Sequence, residues 1–120
     1  MVLLMEHVKM INENIKLCIK VAACVCGKDG IISAAEEGEM FRLLMERFPD
    51  CDQNMFETAL AEFFDSNDQI EDYLALIDDV ALRQFTLELA EISASADGLE
   101  IRENIALKKL YVVWGYDRNA

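Results

Sequence analysis

The stretch GKDGIISAAEE, residues 27–37, separates two apolar segments of the chain and decides how they are connected. It reads like the second half of an EF-hand calcium loop, which needs oxygen ligands at its first, third and fifth positions, a glycine at its sixth and a glutamate at its twelfth. With Asp29 at the fifth position, Gly30 falls at the sixth and Glu36 at the twelfth. The first position falls on Val25 and the third on a glycine, and neither has a side-chain oxygen. The stretch therefore matches only half of a cation-binding loop.

The same residues also satisfy the rules for starting a helix. Ser33-Ala34-Ala35-Glu36 is a capping box, in which the serine hydroxyl accepts from a backbone amide and the glutamate reaches back to the cap. An Asp-Gly pair is ordinary turn chemistry as well, because glycine closes the preceding helix and aspartate suits the start of the next one. Helix capping alone accounts for every residue that fits the calcium template, so both interpretations stay open.

Apolar residues at helical spacing predict helices on both sides of this stretch and through the rest of the chain. The expected helices cover Leu3–Met10, Asn14–Cys26, Ser33–Phe48, the segment from Asp52 to Asp65, Ile70–Asp79, the segment around Leu82–Ile92, and Ile101–Trp114. A small break is expected between the first two, and Pro49 ends the third because proline cannot continue the hydrogen-bond ladder. Strand-like alternation is lacking. The prediction is an all-α fold, a single compact bundle of about six to eight helices.

Particular side chains are expected to face the core of this bundle. In the third expected helix they are Ala34, Gly38, Phe41, Met45 and Phe48. In the following helices they are Phe56, Leu60, Phe63, Leu74, Ile77, Leu82, Phe85, Leu89, Ile92 and Trp114.

A repeat underlies the helical pattern. At an offset of 68 residues, the apolar positions Leu17, Val21 and Cys24 match Phe85, Leu89 and Ile92. The same offset carries the Asp-Gly pair at 29–30 onto the pair at 97–98, after which the offset becomes 69. The single domain, residues 1–120, is thus predicted to contain two helix–loop–helix halves, roughly 1–50 and 68–120, with a linking helix at 52–65. Because duplicated helix pairs pack their apolar faces together, the two acidic loops are expected to lie near each other.

The second loop, residues 93–103, fits the cation template less well. Its first and third positions are serines, and Ile105 stands where the repeat requires a counterpart of Glu36. The missing glutamate has to come from Glu100 or Glu103. Calcium affinity depends on the number of anionic ligands, so weak binding at best is expected. The candidate ligands for Ca²⁺ or another divalent cation are Asp29, Glu36, Asp97 and Glu103.

The motifs Gly27–Glu36 and Ala94–Ile101 each follow a helix that ends in small residues, and each contains Asp-Gly followed by an aliphatic residue. In this arrangement the chain resembles the tellurite-resistance TerB-like family over nearly its whole length. The resemblance implies a compact all-helical domain, found alone in stress and phage-defence gene clusters or attached to co-chaperone and membrane-associated partners. It also implies an interaction and sensing module with divalent-cation binding, rather than an enzyme. The residues to which that binding is carried over are Asp29, Glu36, Asp97 and Glu103.

The composition is typical of one folded intracellular domain. Of the 120 residues, 53% are hydrophobic and only one is proline, which excludes a low-complexity chain. The N-terminus lacks the basic start of a signal peptide, and no apolar run reaches the roughly 18 residues of a membrane span. The four cysteines are expected to be reduced, and Cys24 and Cys26 with one distant histidine, His7, lack the clustered spacing of a zinc site. We expect a soluble, cytoplasmic protein.

The net charge of −12 is typical of a soluble surface, and it also fits a basic protein partner, a divalent cation or mimicry of DNA charge. Nucleic-acid phosphates and anionic lipid headgroups would repel such a surface, so neither direct nucleic-acid binding nor membrane insertion is expected. A protein partner, basic or membrane-associated, remains. Tyr116 is expected to be exposed and to bind that partner, since aromatic residues are enriched at binding hot spots.

Two functions from different classes follow. Catalysis is not expected, because His7 is the lone histidine and no phosphate-binding glycine loop occurs. The first function is a non-enzymatic interaction and stress-response module of TerB-like type, with weak cation binding at its Asp-Gly loops. The alternative is an acidic inhibitor or immunity-type protein that blocks the basic, nucleic-acid-binding face of a target. That alternative depends on the acidic residues Glu62, Asp65, Asp68 and Asp72.

Overall fold

The fold consists of helices joined by short turns. A computed structural model describes residues 2–27, 32–98 and 101–116, with the side chains of 12–27, 32–96, 98 and 103–116. The helices are α1 (Val2–Cys26), α2 (Ala34–Arg47), α3 (Gln53–Asp65), α4 (Ile70–Leu74), α5 (Val80–Ala94) and α6 (Ile101–Val113), with a 3₁₀ turn (Ser95–Asp97) after α5. These described ranges contain no strand. The predicted all-α class is confirmed.

The first helix is longer than expected. The predicted break near residue 12 is wrong, because α1 continues from Val2 to Cys26. Asparagine is only mildly unfavourable inside a helix, and packing of the helix outweighs that preference. Asn12 and Asn14 are half-buried within the continuous helix, and Ile15 lies in the core. Despite the length of α1, no helix in the described ranges has the combination of length and apolar character needed to cross a bilayer.

The capping box at the start of α2 is confirmed, but the predicted inward face of this helix is only partly right, since Phe41 and Phe48 pack against the core and the other three residues do not. Ser33 is the N-cap, and Phe48 closes the helix by donating its backbone N–H to the Leu44 carbonyl at 2.7 Å. The buried residues are Glu36, Met40, Leu43 and Leu44, whereas Ala34, Gly38 and Met45 are exposed and Phe41 and Phe48 are half-buried. Two apolar stripes overlap on this helix, and packing against α5 selects the one that carries Glu36 inward.

The later helices follow the predicted pattern, with one boundary changed. The predicted helix from Ile70 ends at Leu74 rather than at Asp79, although Leu74 and Ile77 are both buried as expected. Asp79 instead serves as the N-cap of α5, where its carboxylate accepts from the Leu82 N–H at 2.8 Å. An aspartate used as a cap has non-helical backbone angles, so it cannot continue the preceding helix.

The core lies between the two longest helices. The helix α1 packs along α5, α2 covers α5, and α3, α4 and α6 cover α1. Phe56, Leu60, Leu82, Leu89 and Trp114 are buried as predicted, while Phe63, Phe85 and Ile92 pack half-buried at its edge. The 3₁₀ turn lies against α2. This packing brings the start of the second loop beside the helix that follows the first loop. The expected proximity of the two acidic loops stays a prediction, because residues 28–31 and 99–100 lie outside the described residues.

Candidate functional site

The end of α1 is shaped by close packing at Gly27. The Gly27 N–H donates to the Ala23 carbonyl at 2.7 Å and so continues the helix for one more residue. A Cβ atom at this position would lie 2.9 Å from Ile32 Cγ1 and 3.0 Å from the Ala23 oxygen. A glycine is therefore needed here because Ile32 rests directly on the helix end. This contact returns the chain to the neighbourhood of Cys26 just before α2 begins.

Glu36 is fixed by the capping box and is also buried. The Ser33 Oγ accepts from the Glu36 N–H at 3.1 Å, and Glu36 Oε1 accepts from the Ser33 N–H at 2.9 Å. The glutamate of a capping box lies in the first turn of its helix, where the helix dipole favours negative charge. Only 4% of Glu36 is exposed. The side chain thus has both the capping role and a place in the interior.

Glu103 enters the same region from the other half of the chain. It lies in the first turn of α6 and is likewise 4% exposed. Its position in the first turn gives it the same favourable dipole as Glu36. Glutamate is seldom buried to this extent, so two such residues in one small domain are unusual.

Cys26, Glu36 and Glu103 form one buried cluster. The Sγ of Cys26 and one carboxylate oxygen from each glutamate all lie within 4.8 Å of one another. The cysteine is 6% exposed. Among the described side chains this is the one group of three or more His, Cys, Asp or Glu residues close enough to hold a metal ion. The ligands come from three helices, at the end of α1 and the starts of α2 and α6.

The electrostatics of the cluster favour a cation. Two carboxylates that lie close together repel each other, and a nearby positive charge relieves that repulsion. The positive ends of α2 and α6 supply part of the compensation. Oxygen and sulfur atoms from three side chains are also the donor types that divalent metals bind in proteins. The arrangement is chemically suited to holding an ion between the two halves.

A pocket opens near the end of α1 and the first half of α6, and Cys26, Glu36 and Glu103 are not among its lining residues. Its lining includes Gly27, which follows Cys26, and Ala106, which lies one turn beyond Glu103. Polar side chains at the pocket are Asp68, Gln69, Glu71 and Lys109. The Lys109 Nζ is 2.7 Å from a Glu71 carboxylate oxygen.

The structure places only two of the four predicted metal ligands in the cluster. The structure brings Glu36 and Glu103 together. Asp29 lies outside the described residues, and Asp97 belongs to the 3₁₀ turn with its side chain outside the described part. The serines of the second loop do not join the described cluster: Ser95 Oγ donates to the Glu91 carbonyl at 2.8 Å, and Ser93 Oγ is buried without a hydrogen-bond partner in the described ranges.

Sequence reasoning missed Cys26. All four cysteines are free, as expected, but the expectation of a purely structural role overlooked how Cys26 differs from the others. It is the last residue of α1 and directly precedes the first Asp-Gly loop. A thiol at the junction between helix and loop is the signal that points to this position. The spacing of ligands along the chain does not point to Cys26, because Glu103 is far from it in the sequence.

The C-terminal aromatic residues are both packed. Trp114 is 8% exposed, which confirms its predicted place in the core. Tyr116 was expected to be exposed but is half-buried and packs against the core, with its backbone N–H donating to the Tyr111 carbonyl at 2.7 Å. That hydrogen bond folds the chain back over the end of α6. The partner-binding role of Tyr116 stays a prediction.

Comparisons with protein-family models, with curated proteins and with solved structures find no match for this chain.

Proposed function

We propose that this chain is a non-enzymatic helical module that binds a divalent cation between its two helix–loop–helix halves and acts through contacts with a protein partner. The observation that carries the proposal is the meeting of two buried glutamates, Glu36 and Glu103, from opposite halves of the chain. A bound cation would offset their mutual repulsion. It would also hold the starts of α2 and α6 at a fixed separation.

The geometry supports a link between cation binding and the shape of the molecule. The two glutamates lie at the helix starts that directly follow the two Asp-Gly loops. An ion bound by both therefore stabilises one arrangement of the loops relative to α1. A ligand that binds the folded state alone raises its stability in proportion to the logarithm of the ligand concentration.

A binding role fits the burial of the cluster better than catalysis. Its three side chains are between 4% and 6% exposed, which leaves little room for a substrate beside them. The resemblance of the Asp-Gly motifs to the TerB-like family supports an interaction role in a stress response, with tellurite resistance as the setting that the family name implies. The charge of −12 supports a partner with a basic face, whether free or membrane-associated.

The rival function as an acidic inhibitor has weaker support. It requires Glu62, Asp65, Asp68 and Asp72 to meet a basic target. Glu62 already pairs with Lys20 at 2.9 Å and with Lys16 at 3.4 Å. An Asp72 carboxylate oxygen accepts from the Gln69 N–H at 2.7 Å and caps α4. Two of the four residues thus have roles within the chain.

The test of the proposed function is calorimetry on chelator-treated, reduced protein with Ca²⁺, Mg²⁺ and Zn²⁺ at physiological salt. We expect saturable binding of at least one ion at about 10⁻⁵ M or tighter, lost in Glu36→Gln and Glu103→Gln. Glutamine keeps the capping hydrogen bond at residue 36, so loss of binding there reports the charge rather than the helix start.

The matched control for these variants is Glu88→Gln, which removes one negative charge from an exposed position on α5. It should bind as the unmodified chain does. The companion variants Asp29→Asn and Asp97→Asn measure how much the two loops contribute to the affinity for the cation. Absence of binding heat for all three ions would contradict the proposal.

A further inference from the structure

Cys26 is the member of the cluster to which neither the loop template nor the family resemblance gives a ligand role. Its Sγ lies within 4.8 Å of a carboxylate oxygen of both Glu36 and Glu103. We propose that the ion of this site is a thiophilic divalent metal of the zinc class, held by the Cys26 thiolate and the two glutamates, rather than Ca²⁺ or Mg²⁺. This inference rests on the cation-binding function proposed above and adds the class of ion.

The donor set distinguishes between the classes of metal. Ca²⁺ takes about six to eight oxygen ligands, and Mg²⁺ requires an octahedron of oxygens with several waters. A thiolate is a soft ligand that neither ion prefers. Zinc binds cysteine sulfur together with carboxylate oxygen and is usually four-coordinate. One sulfur and two carboxylates thus supply three zinc ligands, and a water molecule or another donor completes the four.

The separations are compatible with such an ion after small movements. Zinc–sulfur and zinc–oxygen bonds of about 2.3 and 2.1 Å place two tetrahedral ligands roughly 3.6 Å apart. The three atoms of the cluster are at most 4.8 Å apart, so side-chain shifts of about 1 Å bring them to one ion. The Ser33 N–H donates to one Glu36 oxygen at 2.9 Å, and this hydrogen bond restricts how far that side chain can move.

Binding through Cys26 has a defined proton balance. The thiol S–H bond breaks, a metal–sulfur bond forms, and the proton leaves to solvent. No change of oxidation state accompanies this step. Affinity should therefore rise with pH, and protons should be released as the metal binds. The environment of Cys26 differs from that of Cys18, whose described hydrogen-bond partner is the Thr86 hydroxyl and not a carboxylate.

The experiment is a Co²⁺ titration of the reduced, chelator-treated full chain, followed by competition with Zn²⁺ and with Ca²⁺. Cobalt occupies zinc sites and gives a near-ultraviolet thiolate-to-metal charge-transfer band, which is absent when all ligands are oxygens. We expect this band to saturate at about one equivalent, to disappear on addition of Zn²⁺ and to persist in excess Ca²⁺. The band is read in the unmodified chain, so the test does not depend on a variant that folds.

Two variants test whether Cys26 supplies the sulfur ligand. Cys26→Ser should abolish the band, while Cys24→Ser, a change two residues away at a half-buried cysteine, should retain it. Circular dichroism of both variants shows whether each keeps its helices. Cobalt binding without a charge-transfer band, or a band that Cys24→Ser removes and Cys26→Ser does not, would overturn the inference.

The ion preference separates failure of the inference from failure of the proposed function. If Ca²⁺ or Mg²⁺ binds more tightly than Zn²⁺ and Cys26→Ser leaves that binding unchanged, the cation-binding function stands and the zinc-class inference fails. If no divalent ion binds, both fail. Zn²⁺ binding at least tenfold tighter than Ca²⁺ binding, lost in Cys26→Ser, supports both.

Discussion

The Thr86 hydroxyl lies 3.2 Å from Cys18 Sγ, and these two residues are 68 positions apart in the chain. That separation is the offset of the sequence repeat, so the contact joins equivalent positions of α1 and α5. The contact lies between α1 and α5, the two longest helices, which pack along each other.

Burial raises the pKa of the Cys18 thiol from its usual 9.0 to about 11, although the hydrogen bond with Thr86 opposes this shift. The unfolded chain releases the thiol proton at lower pH than the folded chain does. The contribution of Cys18 to the free energy of unfolding is thus fully present below pH 9 and is lost as the pH rises towards 11.

Urea unfolding of the reduced chain between pH 8 and pH 11 measures this loss against Cys18→Ala. The variant is expected to be less stable at pH 8, because it leaves a cavity, and to lose less stability over this range. Equal losses in the two proteins would show that Cys18 does not titrate in this way.

Gly98→Ala should destabilise the protein, whereas Gly38→Ala should not. Gly98 has a φ of 95°, which strains any residue with a Cβ atom, and we expect a loss of about 1–3 kcal/mol. Gly38 lies within α2 with nothing near its position to obstruct a Cβ, so alanine there should add about 0.5–1 kcal/mol. Thermal and urea unfolding of both variants provide the comparison. Similar effects of the two substitutions would contradict the assigned backbone conformations.

Trp114→Phe should lower the free energy of unfolding by about 1–3 kcal/mol. The indole Nε1–H donates to the Leu74 carbonyl at 3.3 Å, and the Arg83 guanidinium lies 5.6 Å from the ring centroid. Phenylalanine loses the hydrogen bond and part of the buried area. Trp114 is the single tryptophan of the chain, so the fluorescence of the unmodified protein should shift to longer wavelength on unfolding. Circular dichroism then measures the stability of the variant.

Glu62→Gln should reduce stability by less than about 1 kcal/mol at low salt, because exposed ion pairs contribute little. The Lys20 hydrogen bond, with help from Lys16, lowers the pKa of Glu62 and joins α3 to α1. That contribution is present at neutral pH and is lost as the pH falls through the lowered pKa of the folded state. Unfolding measured with and without 1 M NaCl should show the difference only at low salt. A difference that persists at high salt would indicate a role beyond the ion pair.

The sequence by itself determined most of the helices and their ends, apart from the break expected near residue 12 and the end of α4. The Ser33 capping box, Pro49 after α2, and the cap at Asp52 are local signals, and their hydrogen bonds connect residues within four positions of one another. The apolar spacing also identified most of the core, because one face of each later helix is clearly richer in large apolar side chains. The all-α class followed from these features alone.

Only the tertiary structure decided which face of α2 is buried and which side chains form the cluster. The first depends on how α2 packs against α5, and two overlapping stripes left that open. The second depends on distances between residues that are far apart in sequence. Glu36 and Glu103 were both candidates, but Cys26 joined them only when the ends of three helices met at one point. Local rules set where each helix begins and ends, whereas the packing of the halves sets which ends are neighbours.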